Sequence, residues 1–103
     1  MVTFIGLIKS LDQVALKDYL SKVGQTVDLY GGQVAARGET LTPMWNELNC
    51  KTFDSYVEVL FDSFERANEW SHSPDYQNLL PIRNKAMQVT FFGMKKSQED
   101  NKP

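Results

Sequence analysis

From Val2 to Ile8 the residues are β-branched, aromatic or aliphatic with almost no polar break, the pattern of a strand covered on both faces. Ser10 and Gln13 stand at capping-box spacing, and Leu16, Tyr19, Leu20, Val23, Val27 and Tyr30 then recur at helical intervals. A long amphipathic helix is predicted. Lys17, Asp18, Ser21, Lys22, Gln25 and Asp28 fall on its polar side, and Gly31 and Gly32 supply the left-handed conformations that end it. Gln33 to Gly38 alternates weakly and reads as a second strand. The polar stretch from Glu39 to Thr52, with Pro43, reads as its ragged end plus a loop, and Phe53 to Phe61 as the third strand.

Asp62 or Ser63 can cap a short helix with apolar positions Phe64, Ala67 and Trp70, Asp62 and Glu65 having capping-box spacing. Ser73 suits the N-cap of a further helix, with Pro74 at its first position and Asp75 at the positive end of its dipole. Pro81 lacks the N–H that a helix interior needs, so a kink or break is expected near it. Met87 to Met94 is the fourth strand. Residues 1–94 then form a single domain, and Lys95 to Pro103 a polar, aperiodic tail expected to be disordered. The order β-α-β-β-α-β, with its last helix split, is α+β and ferredoxin-like, with a four-stranded antiparallel sheet.

Successive strand residues point to opposite faces, so each strand divides into two sets. Val2, Phe4, Ile8, Val34, Ala36, Val57, Val59, Phe61, Val89 and Phe91 are expected under the helices. The other set contains Thr3, Ile5 and Leu7, then Ala35 and Arg37, then Tyr56, Glu58 and Leu60, then Thr90, Phe92 and Met94. Both helical segments of such a fold pack on one face, and this second set is too apolar to be left wet. A homodimer through the open sheet face, two sheets enclosing a shared space, is one solution. The alternative is that the loop from Glu39 to Thr52, carrying Met44 and Trp45, folds over the face instead.

Composition narrows the partners. The 103 residues are 42% hydrophobic and 23% charged, ordinary for a globular domain. Eleven Lys and Arg against thirteen Asp and Glu give a net charge of -2 without like-charge blocks, so nucleic acid is not an expected partner. The longest apolar stretch, Phe4 to Ile8, is far below the about 20 residues that span a bilayer, and no basic segment precedes it. No membrane contact is expected. Cys50 is the only cysteine, which excludes an internal disulfide and suits a reducing, cytoplasmic location.

Tyr30-Gly31-Gly32 after the first helix, Arg37-Gly38 on the second strand, Trp70 with Ser73-Pro74-Asp75-Tyr76-Gln77, and then Arg83 and Ala86 form a recognisable set. The chain resembles, from the first strand through Phe92, the family catalogued as domain of unknown function thirteen-thirty. That family resembles the dimeric α/β-barrel superfamily, which includes cofactor-free monooxygenases, muconolactone isomerase-like proteins and haem-degrading enzymes. The resemblance implies a dimeric α/β barrel but no particular chemistry, because one fold hosts many. The family's usual acidic residue just before Phe61 is Leu60 here, with a carboxylate two positions earlier as Glu58 on the same face; Ser71 stands where the family usually has Tyr.

Arg37, Tyr56, Glu58, Thr3 and Thr90 are the polar members of the open-face set, and a few convergent polar groups in an apolar cavity make a ligand site. Arg37 can clamp a carboxylate, and a desolvated Glu58 would gain a pKa suited to proton transfer; alternatively the two form a structural pair or a dimer contact. His72, the only histidine, is a second candidate catalytic residue or an exposed loop residue. Trp45 is either a lid over the cavity or a partner contact, and Trp70 at helical spacing reads as core. Tyr76 and Arg83, seven apart, are expected to share a helix face and tie it down. One His and one Cys cannot supply three or four ligands, so no metal or cofactor is expected. Three functions remain open: a dimer binding a small organic molecule in a barrel-side pocket, a cofactor-independent monooxygenase or isomerase using Glu58 or His72 as base, and a non-catalytic structural or regulatory dimer.

Overall fold

Strand β1 (Val2–Ser10) leads into the long helix α1 (Gln13–Leu29), followed by β2 (Gln33–Glu39) and β3 (Ser55–Phe61). Three helical pieces, α2 (Phe64–His72), α3 (Pro74–Gln77) and α4 (Leu80–Ala86), then precede β4 (Met87–Met94). The computed structural model describes residues 1–95, so the polar tail expected beyond them lies outside the described residues, Lys95 apart. The sheet order is β2-β3-β1-β4 with every neighbouring pair antiparallel, the split βαβ arrangement predicted from the element order.

Helix α1 is capped by Asp12 rather than Ser10: the Asp12 carboxylate accepts the Ala15 N–H at 2.9 Å. Ser10 instead ends β1, where its N–H and hydroxyl both donate to Asp54, at 3.1 and 2.9 Å. The hydroxyl of Ser55 and the N–H of Ser10 hold the Asp54 carboxyl below the usual carboxylate range. This carboxylate ties the start of β3 to the end of β1 across a long loop.

Likewise Ser63, not Asp62, caps α2 by accepting the Arg66 N–H at 3.1 Å. Ser73 serves two helices: its hydroxyl donates to the Trp70 carbonyl at 2.7 Å and accepts the Tyr76 N–H at 3.2 Å. The break in the last helical segment falls at Asn78 and Leu79, and Pro81 lies in the first turn of α4. Its missing N–H would have had no intrahelical partner there, so the proline starts a helix instead of breaking one.

Of the two glycines that follow α1, only Gly31 adopts a left-handed backbone, with φ 75°. Gly32 matters for proximity: a Cβ there would stand 2.6 Å from the Phe61 ring and 2.8 Å from the Val27 side chain. Phe61 and Val27 are the largest fully buried side chains, so neither can retreat.

The covered face carries Val2, Ile8, Val59 and Phe61 beneath the buried stripe of α1 formed by Ala15, Tyr19, Val23 and Val27. Trp70 fills the space under α2, its indole N–H donating to the Thr26 hydroxyl at 2.9 Å. That satisfies both polar groups of an otherwise apolar contact and confirms Trp70 as core. On the other face Ile5, Leu7 and Leu60 are half-buried while Phe92 and Met94 are exposed. The loop does not bury its own apolar side chains there: Met44 is 83% and Trp45 74% exposed. Among the described residues no helix is long and apolar enough to cross a membrane.

Strand β2 departs from simple alternation. Val34 pairs with Val59 and Ala36 with Glu58, so one extra residue, Ala35, is accommodated as a bulge. Every side chain after it changes face. Ala36, expected under the helices, lies on the open face opposite Glu58, and Arg37, expected on the open face, lies opposite Val57 on the covered one.

Gly32→Ala is expected to cost about 2 kcal/mol by overpacking, whereas Gly24→Ala, mid-helix with nothing within 4 Å of the new methyl, should stabilise by roughly 0.5 to 1 kcal/mol. Urea unfolding of the two variants checks both; equal midpoints would contradict the packing argument.

Candidate functional site

The polar residues singled out from sequence do not form one constellation. Thr3, Tyr56, Glu58 and Thr90 do share the open face: Leu7 is paired with Tyr56 on one side and Thr90 on the other, and Ile5 with Glu58. Thr3 is buried at the sheet centre between Leu60 and Met94. The Tyr56 hydroxyl donates to the Glu58 carboxylate at 2.6 Å, and this bond pushes the Tyr56 pKa up. Arg37 is on the opposite side of the sheet, so no Arg37–Glu58 pair exists. Trp45 projects from the loop into the open, and His72 is exposed at the end of α2, its Nδ1–H donating to the Asn68 carbonyl at 2.9 Å. Neither reaches Glu58.

What the bulge does create is a different grouping. Between the helices and the sheet lies a cavity of about 140 Å³. Its floor is made by Val57, Val59, Met87 and Val89 of the strands, and Tyr19 and Val23 of α1 roof it. Trp70 and Tyr76 close one side, and Arg37 and Arg83 also line it. Helix geometry explains the roof, since Tyr19 and Val23 are four residues apart on one face. The break between α3 and α4 lets Tyr76 and Arg83 meet: Arg83 donates to the Tyr76 hydroxyl at 3.2 Å.

Tyr19 and Tyr76 are 7% and 6% exposed, and their hydroxyl oxygens are 3.0 Å apart. Buried tyrosines keep a polar tip that needs a partner, and each here is the other's. Burial pushes the Tyr19 pKa well above its ordinary value, helped by Tyr76, while the positive charges of Arg83 and Arg37 pull the other way. Trp70 packs against Tyr76 with ring centroids 4.3 Å apart and the planes tilted by 46°, fixing that ring.

Sequence reasoning placed Tyr19 and Tyr76 among the apolar positions of two helices and did not bring their hydroxyls together. The available signal was two tyrosines on core stripes, each needing a hydrogen-bond partner; their pairing depends on how α3 turns over α1. Among the described residues no group of three or more His, Cys, Asp or Glu side chains is placed to hold a metal ion.

The family model described as Domain of unknown function (DUF1330) matches residues 3–96. A search of curated proteins returned no match. Among solved structures, a protein of unknown function from Rhodopseudomonas palustris, RPA0582, is 15% identical with TM-score 0.78, over 93% of this chain and 82% of that one. SnoaB, described as a cofactor-independent oxygenase from Streptomyces nogalater, is 12% identical with TM-score 0.59, over 98% and 97%. A dimeric protein of unknown function and ferredoxin-like fold from Bacteroides fragilis is 11% identical with TM-score 0.57, over 92% and 95%. At these identities the likeness shows the fold, which is the expected ferredoxin-like one.

The buried tyrosine pair sets a pH dependence. Below the ordinary tyrosine pKa of 10.0 Tyr19 is protonated in both folded and unfolded chains; above it the unfolded chain releases the proton and the folded chain holds it. Stability should therefore fall as pH rises beyond about 10. Tyr19→Phe should cost about 1 kcal/mol near neutrality and lose less on the alkaline side. Urea midpoints of both proteins from neutral to alkaline pH check this, and parallel curves would rule it out.

Proposed function

We propose that this chain, which belongs to the DUF1330 family, is a homodimeric, cytoplasmic protein that binds a small organic molecule in each subunit's cavity between the helices and the sheet. The observation that carries the reading is the cavity itself: an apolar chamber of about 140 Å³ lined by two tyrosines whose hydroxyls are bonded to each other and by two arginines. Apolar walls with a few convergent polar groups are what small-ligand sites have in common. This moves the site from the barrel side, where the sequence alone put it, and keeps Arg37 as its anchor.

The dimer is supported by the open sheet face, where Phe92 and Met94 are exposed beside Ile5, Leu7 and Leu60. A contiguous apolar face of this kind is normally covered, and a second copy covers it through a self-complementary contact. Thr3, Tyr56 and Thr90 then lie at the contact between sheets, and Trp45 is available to the partner.

A second reading, favoured by the short Tyr56–Glu58 hydrogen bond, is an enzyme that uses Glu58 as a base in the space enclosed by two sheets. His72 has a weaker case, being exposed and engaged with the Asn68 carbonyl. In that reading Glu58→Gln abolishes turnover while leaving ligand binding in the helix-side cavity intact.

Native mass spectrometry of the purified protein tests the main reading. The expected species is a pair of 11.8 kDa subunits with small-molecule adducts that dissociate on activation. Phe92→Glu should yield single subunits, because a carboxylate would be buried without a partner. Wild-type protein found only as single subunits would overturn the dimer. A wild-type dimer lacking adducts, whose melting temperature no small aromatic or aliphatic compound raises, would leave the bland structural role.

A further inference from the structure

The charge of the cavity wall is lopsided. Its border holds Arg37 and Arg83, and none of the residues lining it is Asp, Glu or His. Arg83 is partly engaged, donating to Tyr76 at 3.2 Å and to the Asn84 side chain at 3.2 Å. The Arg37 side chain has no hydrogen-bond or ion-pair partner among the described residues. A guanidinium beside an apolar chamber, with nothing of opposite sign facing it, favours an anion there and opposes a cation.

Hydrogen counting inside the chamber gives the same sign. Arg83 donates to the Tyr76 oxygen, and the Tyr19 and Tyr76 hydroxyls share one hydrogen between them. Two hydroxyl hydrogens are present and one is used. Whichever tyrosine keeps the other, that O–H has no acceptor among the described residues, in a place where both residues are buried. In either direction of the Tyr19–Tyr76 bond, the group formed by Arg83 and the two phenols keeps one hydroxyl hydrogen to donate, so what completes it is an oxygen acceptor.

Size sets the remaining limit. At about 140 Å³ the chamber is close to the roughly 150 Å³ known to admit benzene in an apolar protein core. A single six-membered ring fits and a fused polycycle does not, unless it extends past the arginines. Resting on the cavity reading above, we infer that the ligand is a monocyclic organic anion, a ring carboxylate or comparable oxyanion, with its ring on the valine floor and its charge held by Arg37 at the border.

The experiment compares two probes of nearly identical shape, 4-hydroxybenzoate and 4-hydroxybenzamide, by isothermal titration calorimetry on the intact chain near neutral pH. The carboxylate should bind at least tenfold more tightly than the amide, and the advantage should shrink in high salt. Arg37→Gln should reduce that advantage severalfold while leaving the melting temperature unchanged, since Arg37 is exposed and its side chain is bonded to nothing among the described residues. Equal affinity for acid and amide would overturn the anion inference and leave the cavity reading standing. No binding of either probe, or of benzene and toluene, would overturn both. A preference for the acid that survives in Arg37→Gln would overturn the assignment of Arg37 as the anchor.

Discussion

One extra residue in an edge strand determines which chemistry the two sides of the sheet can have. Between Val34 and Ala36 the pairing with β3 slips by one position, and because side chains alternate, everything after the slip changes sides. Without the bulge Arg37 would sit beside Glu58 on the open face and neutralise it. With the bulge Arg37 stands next to Val57 at the edge of the helix-side cavity, and the open face keeps a carboxylate bonded, among the described residues, only to Tyr56. β2 can carry this irregularity because it is an edge strand, with a neighbour on one side alone.

The cavity depends on how the helices are propped over the sheet. A close-packed interior leaves few voids, so a chamber of this size has to be held open by rigid parts. Trp70 is such a part. Its ring contacts Phe61, Tyr76 and Phe91 with centroids 4.3 to 6.0 Å apart, and its N–H is fixed to Thr26. Tyr76 in turn is held by Trp70, by the Tyr19 hydroxyl and by Arg83. Ser73, by ending α2 and starting α3 with one hydroxyl, sets the turn that brings Tyr76 above α1. The Ser73-to-Gln77 run that makes the sequence recognisable is thus the piece of chain that shapes one wall of the chamber.

Element order, the double glycine stop, the Ser73-Pro74 helix start and all four strands were legible in the sequence, because each follows from local periodicity or capping chemistry. Those are short-range rules, and they failed where two residues competed for one task. Asp12 displaced Ser10 as the α1 cap because it immediately precedes the first helical residue, which freed Ser10 for Asp54. Arg37 was misplaced for a different reason. Gln-Val-Ala-Ala-Arg alternates too weakly to reveal a bulge, and two consecutive alanines carry no sign of which belongs to which face. The tyrosine pair was out of reach because 57 residues separate its members, and only the packing of α3 on α1 joins them.

Separating Arg37 from Glu58 also separates two properties that the sequence seemed to combine. In the proposed dimer the open face, with Phe92, Met94 and their neighbours, meets the second copy, while the proposed ligand cavity lies on the covered face among Tyr19, Tyr76 and the two arginines. The strands are shared, but alternate residues serve each side, so Val57 and Val59 floor the cavity while Tyr56 and Glu58 face away from it. A substitution on one side reaches the other only by moving the backbone. Under the proposed dimer and cavity, changes at alternate positions of β3 would therefore act on one side of the sheet at a time, whereas removal of the bulge would act on both, by returning Arg37 to the carboxylate and taking its positive charge from the cavity.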